Sequence, residues 1–119
     1  INKDLILKTD RESFRTIFSN LLNNAIKYSP NKTKIDFISK TDKNYVTISI
    51  KDYGYGIDKN NIKRIFERFY RTSKARAHTK GTGLGLALVK QLSQRIGANV
   101  HVESIINEGS EFFVSFDHK

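Results

Sequence analysis

The sequence predicts a two-layer α/β sandwich, in which three helices cover one face of a mixed β-sheet of about five strands. Three observations predict this fold class. Apolar residues recur at helical spacing in two long segments, they alternate with polar residues in several short segments, and the order along the chain is strand, helix, two strands, helix, loop, helix, two strands. At 119 residues, we expect a single domain over residues 1–119.

The composition narrows the function classes. With 38% hydrophobic and 28% charged residues, the chain is typical of a globular domain. The absence of cysteine excludes a disulfide framework and thiolate chemistry, and His78, His101 and His118 are too scattered to predict a metal cluster. The formal net charge of +9 predicts an anionic partner: nucleic acid, a membrane surface, nucleotide phosphates or an acidic protein.

Two further features bear on where the chain works. It contains no apolar run of membrane-spanning length and no signal-peptide pattern, so we expect a soluble piece that does not itself span a membrane. The first residue is Ile1 rather than methionine, which suggests a fragment of a longer protein. These features are compatible with a membrane-bound parent protein.

The first long helix is predicted after a short strand at residues 5–8. The segment Thr9–Glu12 has the capping-box pattern that opens a helix, and the helix must end before Pro30 because proline restricts the residue that precedes it. Between these limits runs an apolar stripe at helical spacing, which we expect to be buried. Its members are Phe14, Ile17, Phe18, Leu21, Leu22, Ala25 and Ile26.

A polar row lies beside that stripe on the same helix. Asn20, Asn24 and Lys27 are spaced i, i+4 and i+7, so their side chains share one edge of the helix. Amide oxygens can coordinate a hard cation such as Mg²⁺, and a lysine can neutralise phosphate. A solvated helix edge explains the same row, and spacing alone leaves both interpretations open.

The next two strands form a predicted hairpin that ends in a carboxylate. Ile35 and Phe37 alternate with polar residues, and after a turn the alternation resumes and places Asp52 on the apolar face of the second strand. A buried carboxylate needs a partner, either a backbone N–H of the next turn or an amino group of a ligand. Gly54 and Gly56 follow at once, and such small residues would let a flat ligand lie against the backbone.

The second half of the chain is predicted to contain a short helix, a loop, a longer helix and a second hairpin. Asp58 can cap a short helix, and residues 71–80 are polar, basic and aperiodic, which indicates a mobile loop that would cover a phosphate site as a lid. The next helix ends at Gly97 and a second hairpin follows, with a turn at residues 107–109. The residues expected to point inward are Ile62, Ile65, Phe66 and Phe69 in the short helix, Leu84, Leu88, Val89, Leu92 and Ile96 in the long one, and Val100, Val102, Phe112, Val114 and Phe116 in the hairpin.

Alternate glycines at positions 81, 83 and 85 run directly into the last helix. Glycine lets a backbone approach an anion closely, and a helix start supplies unpaired N–H groups, although an ordinary glycine-rich turn gives the same pattern. A dinucleotide fingerprint would need glycine at Leu86, and a Walker A loop would need Gly-Lys-Ser/Thr; neither is present. A local anion site is favoured by the cations that precede the glycines, namely Arg64, Arg68, Arg71, Lys74, Arg76 and Lys80.

Four segments occur in an order that is specific to one family. They are Asn20–Tyr28 (NLLNNAIKY), Asp52–Ile57 (DYGYGI), Ile65–Arg71 (IFERFYR) and Gly81–Leu86 (GTGLGL). They resemble the N box, first glycine box, F box and second glycine box of the ATP-binding catalytic domain of sensor histidine kinases, within the superfamily that includes DNA gyrase. The resemblance extends from about residue 10 to residue 116.

The resemblance implies ATP and Mg²⁺ as cofactors and assigns roles to individual residues. Asn24 would hold Mg²⁺ with Asn20 and Lys27 alongside, and Asp52 would accept a hydrogen bond from the adenine amino group. The position after it is asparagine in many relatives and Tyr53 here, which puts a secondary polar contact in doubt. The other implied residues are Tyr28 over the adenine; Gly54, Gly56, Ile57 and, through a water, Ser110 at the base; Arg68 and Arg71 at the γ-phosphate or the acceptor domain; and Lys80, Gly81, Thr82, Gly83, Leu84 and Gly85 along the phosphates.

The implied function is transfer of the γ-phosphoryl group of ATP to a histidine on a separate dimerisation domain of the same parent protein. A response regulator would act downstream, and the parent would be a membrane-anchored sensor with this domain in the cytoplasm. Where gyrase-like ATPases carry a glutamate that activates water, this helix offers Asn20. Two alternatives stay open: an ATP-hydrolysing conformational switch, and a basic nucleic-acid-binding module, against which the core-periodic placement of the aromatic residues argues.

Overall fold

The computed structural model describes residues 9–29, 34–67 and 85–117. These residues form three helices and four strands. In chain order they are α1 (Arg11–Tyr28), β1 (Ile35–Thr41), β2 (Tyr45–Asp52), α2 (Lys59–Ile62), α3 (Gly85–Arg95), β3 (Asn99–Ile105) and β4 (Gly109–Asp117). None of the described helices combines the length and hydropathy that a bilayer span requires.

The four strands form one sheet in the order β1-β2-β4-β3, and each neighbouring pair is antiparallel. The long helices α1 and α3 pack against each other, and they contact β2 and β3 respectively. This arrangement confirms the predicted two-layer α/β sandwich. Within the described residues the sheet has four antiparallel strands, which is compatible with the predicted sheet of about five; the further strand predicted at residues 5–8, and with it the mixed character of the sheet, lies outside these residues.

Helix α1 begins one residue later than the capping-box pattern suggested. Asp10, rather than Thr9, is the N-cap: its carboxylate accepts hydrogen bonds from the backbone N–H of Ser13, at 3.2 Å, and from the Ser13 hydroxyl. Aspartate caps a helix at least as well as threonine, because its carboxylate also interacts favourably with the helix dipole. The hydrogen bond from the Ser13 hydroxyl lowers the pKa of Asp10.

The core lies between the inner face of the sheet and the two long helices. Its buried apolar residues are Ile17, Phe18, Leu21, Ala25, Val46, Ile48, Ile50, Ile65, Val89, Ala98, Phe112, Val114 and Phe116. The strand residues among them are those predicted from alternation. Burial of these side chains is the main favourable contribution to folding, at roughly 1.5–3 kcal/mol for each large one.

Three helical residues predicted to be buried are exposed instead. Leu22 and Ile26 on α1 are 36% and 56% exposed, and Leu88 on α3 is 38% exposed. The predicted α1 stripe contains two residues per turn and is therefore wider than the contact that the neighbouring layer makes with the helix. The stripe is buried along its centre and exposed along its flank.

The short helix α2 contains four residues and ends at Ile62, earlier than predicted. Asp58 is its N-cap, as expected, and accepts a hydrogen bond from the Asn60 N–H at 2.8 Å. The predicted inward residue Ile62 is only half-buried, whereas Ile65, in the turn beyond the helix, is buried. Phe66 packs edge-on against Phe112 at 6.2 Å between ring centroids, and Phe69 lies outside the described residues.

Candidate functional site

The inner face of the sheet ends in a row of three polar side chains. Asp52 on β2 lies opposite Ser110 on β4, and Ser110 lies opposite Ser104 on β3. Two residues further into the sheet, the same face carries the apolar row Ile50, Phe112 and Val102. We call Asp52, Ser110 and Ser104 the polar row. The polar row lies at the edge of the hydrophobic core, where a polar ligand could bind.

Asp52 is the ionisable member of the polar row and is only 5% exposed. Its Oδ1 accepts a hydrogen bond from the backbone N–H of Gly54 at 3.0 Å. Burial raises the pKa of Asp52, while the backbone N–H groups of Gly54 and Ser110 act in the opposite direction. The carboxylate therefore has the backbone partner that was one of the two expected. An ionised carboxylate can accept further hydrogen bonds, and Asp52 offers them at the end of the core.

Ser104 connects the segment after β2 to the β3–β4 hairpin. Its Oγ accepts a hydrogen bond from the Ile57 N–H at 2.7 Å, donates to the Gly109 carbonyl at 2.9 Å, and lies 2.9 Å from the Oγ of Ser110. A further bond runs from the Asn107 N–H to the Tyr55 carbonyl at 2.7 Å. Ser104 is not among the site residues predicted from the sequence. The available signal was its position two residues after Val102, which continues the inward alternation with a hydroxyl.

Two glycines allow the same pair of segments to approach each other. Gly56 has φ +74°, and a Cβ at this position would overlap the Ile105 carbonyl. Gly109 has φ +126°, and a Cβ there would overlap the Asp52 carbonyl oxygen. The expectation that Gly56 lets a flat ligand lie against the backbone stays a prediction; in the structure, the position that a Cβ would take on Gly56 is occupied by the hairpin backbone. Gly109, which had been assigned only to a turn, sets the distance between β4 and Asp52.

The α1 row, formed by Asn20, Asn24 and Lys27, contacts the start of α3 through Asn20. The Asn20 Nδ2 donates to the Thr16 carbonyl at 2.8 Å, and its Oδ1 lies 3.1 Å from the position of a Cβ on Gly85. Asn24, one turn later, is half-buried, and Lys27 is exposed in the last turn of the helix. The fold thus brings the N-box helix next to the last glycine of the second glycine box.

The family model described as histidine kinase-, DNA gyrase B- and HSP90-like ATPase matches residues 9–119. The chain belongs to this ATPase family. Its relatives include the sensor histidine kinase YvrG of Bacillus subtilis, 38% identical over 90% of this chain, and the phosphate regulon sensor protein PhoR of Pseudomonas aeruginosa, 40% identical over 92%. The matches span 18% of YvrG and 25% of PhoR, so the chain covers only about a fifth to a quarter of these relatives.

Solved structures of two histidine kinases share the fold of this ATPase domain. The catalytic domain of histidine kinase ThkA, in a nucleotide-free form, aligns with a TM-score of 0.83 and 28% identity, covering 98% of this chain and 74% of that one. Full-length ShkA in complex with AMPPNP aligns with a TM-score of 0.76 and 31% identity, covering 87% of this chain and 21% of that one.

Tyr53, at the position where the resemblance implies asparagine, lies on the opposite face of the sheet from Asp52, with Asp36 and Lys51. Its hydroxyl donates to the Asp36 Oδ2 at 2.6 Å, and this hydrogen bond raises the pKa of the phenol. The ammonium groups of Lys34 and Lys51 each lie 5.2 Å from the ring centroid. Tyr53 therefore connects the first glycine box to β1 through its hydrogen bond with Asp36.

Several predicted site residues lie outside the described part of this ATPase domain. They are Arg68, Arg71, Lys80, Gly81, Thr82, Gly83 and Leu84, together with the side chain of Tyr28. The loop predicted at residues 71–80 lies there too. Their assigned roles stay predictions. The residues that the structure brings together are Asn20 with Gly85, and Asp52 with Gly54 and Ser110.

The described residues include one oxygen donor of the kind that magnesium prefers. No cluster of three or more His, Cys, Asp or Glu side chains occurs in the ranges 9–29, 34–67 and 85–117. Mg²⁺ prefers oxygen ligands and is often held by one or two protein groups plus substrate phosphates. The half-buried amide of Asn24 offers one such oxygen.

Proposed function

We propose that this chain is the ATP-binding catalytic domain of a sensor histidine kinase. It binds Mg·ATP and presents the γ-phosphoryl group to a histidine on a separate dimerisation domain of the same parent protein. The observation that carries the proposal is the placement of the buried Asp52 carboxylate at the end of the core, on a backbone fixed by Gly54 and Ser110. The sensor kinases among the relatives support it.

Asp52 recognises the base. Its carboxylate accepts a hydrogen bond from the adenine amino group, and its buried position makes the absence of that partner costly. Gly54 and Ile57 form the adjoining backbone, and Ser110 lies next to Asp52 in the register. Gly56 contributes by letting this backbone pack against the hairpin. Tyr28 is proposed to cover the ring.

The α1 row, formed by Asn20, Asn24 and Lys27, lies at the phosphate end of the proposed nucleotide site. The amide oxygen of Asn24 is the proposed protein ligand of Mg²⁺, an ion that neutralises phosphate charge when bound, and Lys27 adds a positive charge in the same helix. Gly85, the first residue of α3, lies beside Asn20 of this row. The remaining proposed phosphate contacts are Lys80, Gly81, Thr82, Gly83 and Leu84, with Arg68 and Arg71 at the γ-phosphate or the docked acceptor domain.

Asn20 favours phosphotransfer over hydrolysis. A water-activating base must accept a proton, and a carboxamide does so very poorly at neutral pH. The Asn20 amide is also held in place by its hydrogen bond to the Thr16 carbonyl at 2.8 Å. Catalysis then consists mainly of positioning ATP and neutralising its charge until the acceptor imidazole attacks in line.

The partners follow from the same proposal. The acceptor is the dimerisation domain of the parent, and a response regulator receives the phosphoryl group downstream. The limited coverage of YvrG and PhoR is consistent with a parent that carries further domains. We propose that the parent is a membrane-anchored sensor and that this domain works in the cytoplasm. Nucleic acid is not a proposed partner.

A pair of neighbouring substitutions on α1 tests the proposal. Asn24→Asp places a carboxylate at the proposed Mg²⁺ ligand, whereas Asn23→Asp makes the same chemical change at an exposed neighbour and serves as the matched control. With a supplied histidine domain, we expect Asn24→Asp and Asp52→Asn to abolish phosphotransfer and Asn23→Asp to retain it. Unimpaired transfer by Asn24→Asp would refute the assigned role.

Two further readouts discriminate the alternatives. Appreciable phosphate release from ATP by the wild-type chain alone would favour the ATP-hydrolysing switch. Salt-sensitive binding to DNA or RNA, without ATP binding, would favour the nucleic-acid-binding module.

A further inference from the structure

We propose that Ser104 is a positioning residue that sets the hydrogen-bonding direction of Ser110 and thereby contributes to the choice of base. The inference rests on the proposed function, because it concerns the same nucleotide site. Ser104 belongs to β3, and the predicted site residues to which its hydroxyl is hydrogen-bonded in the described part of the chain are Ser110 and Ile57. Its effect on the ligand is therefore indirect.

The protons of the two hydroxyl groups can be assigned from their partners. The Gly109 carbonyl can only accept, so the single proton of Ser104 is donated to it, at 2.9 Å. The Ile57 N–H can only donate, so it occupies one lone pair of the Ser104 oxygen, at 2.7 Å. The remaining contact, 2.9 Å between the two serine Oγ atoms, is then satisfied when Ser110 donates its proton to Ser104. Every hydrogen-bonding group of Ser104 is used in this arrangement.

The assignment leaves Ser110 as an acceptor towards the site. Its proton points to Ser104, and its lone pairs remain beside Asp52, which is its register partner on β2. Asp52 is itself an acceptor when ionised. This end of the polar row therefore favours a ligand or bridging water that donates, such as one serving the amino group of adenine. It disfavours a 6-oxo group, which would bring a third acceptor to the same place.

Ser104 also holds the backbone of the first glycine box. Its bond with the Ile57 N–H crosses from β3 to the segment that follows Asp52, and the nearby Asn107–Tyr55 bond joins the same two segments. A variant that lacks the hydroxyl at position 104 loses this anchor together with the orientation of Ser110. The first effect weakens binding of every nucleotide, whereas the second changes the preference between bases.

Ser104→Val and Ser104→Thr provide the matched test, because valine and threonine have the same shape and only threonine keeps the hydroxyl. We expect Ser104→Thr to retain the ratio of ATP to ITP affinity of the wild type. Ser104→Val should lower that ratio about fivefold relative to Ser104→Thr, which corresponds to the loss of one hydrogen bond. Dissociation constants for both nucleotides with Mg²⁺ are measured by calorimetry on the 119-residue chain. Thermal unfolding of each variant verifies folding, and Ser104→Ala replaces the pair if β3 does not accept a branched side chain.

A double variant separates orientation from general structural support. If Ser104 acts through Ser110, then Ser110→Ala and Ser104→Val/Ser110→Ala should show the same ATP to ITP ratio. Equal ratios for Ser104→Val and Ser104→Thr, in a wild-type background that binds ATP, would overturn this inference and leave the proposed function intact. A wild-type chain that binds neither nucleotide would overturn both.

Discussion

The amide oxygen of Asn20 lies 3.1 Å from the position that a Cβ would take on Gly85, which places the middle of α1 against the first residue of α3. The Asn20 side chain is held there by its bond to the Thr16 carbonyl. Two segments separated by more than sixty residues in the sequence thus meet at one tight contact. Both belong to boxes assigned to the phosphate end of the site.

This contact predicts an interaction between substitutions at the two positions. Alanine at position 85 gains up to about 1 kcal/mol of helix propensity over glycine, but its methyl group meets the Asn20 amide. We expect Gly85→Ala to be destabilising with Asn20 present and stabilising in an Asn20→Ala background. Urea unfolding of the wild type, both single variants and the double variant measures the coupling, expected at about 0.5–1 kcal/mol. Additive free energies would contradict the prediction.

Gly56 and Gly97 provide a matched comparison of two left-handed glycines. Their φ angles are +74° and +73°, but a Cβ on Gly56 would overlap the Ile105 backbone, whereas a Cβ on Gly97 would meet nothing within 4 Å. Gly97→Ala should therefore cost only the left-handed conformation, about 1–2 kcal/mol. Gly56→Ala should cost about 3 kcal/mol or more, because the hairpin must also move. Equal losses in the free energy of unfolding would show that conformation alone sets both.

The sequence predicted the elements well because their patterns are local. Alternation identified the buried faces of β2 and β4, and it placed Asp52 at the end of the inner face, where the structure has it. Helical spacing identified α1, but it counted Leu22 and Ile26 as buried, since spacing does not reveal how wide a strip the partner layer covers.

The candidate site was predicted from motifs, so residues outside the motifs were not recognised as part of it. Ser104 stands outside every box, and its hydrogen bond with Ser110 depends on the register that pairs β3 with β4. The overlap that makes Gly109 necessary involves the backbone of Asp52, more than fifty residues away, and no local pattern encodes such a contact. Local patterns predict which residues face inward; pairing decides which of them meet.

Asp52→Asn is expected to stabilise the nucleotide-free chain while it abolishes ATP binding. Burial raises the pKa of Asp52 above its ordinary value of 3.8, so the folded chain binds this proton more strongly than the unfolded chain does. The ionised carboxylate therefore opposes folding at neutral pH, and the opposition fades as the pH falls from the raised pKa through 3.8. The stability advantage of Asp52→Asn should be largest near neutral pH and shrink on acidification.

Urea unfolding of the wild type and Asp52→Asn across a pH series tests this expectation, with ATP binding measured in parallel. An advantage that grew on acidification would have the wrong sign and would exclude burial as the dominant influence on this carboxyl. A variant less stable at neutral pH would show that the carboxylate is better satisfied than the amide that replaces it.

Ser93 on α3 carries a hydroxyl with no accessible surface and no hydrogen-bond partner in the described part of the chain. An unsatisfied buried hydroxyl opposes folding, so Ser93→Ala should raise the free energy of unfolding by about 1 kcal/mol. Ser13→Ala is the control, because Ser13 is also buried but bonds the carboxylate of the α1 N-cap, Asp10. The same change there should lower stability. Chemical unfolding of both variants gives the comparison, and a destabilised Ser93→Ala would mean that its hydroxyl contributes a bond within α3 or to residues outside the described ranges.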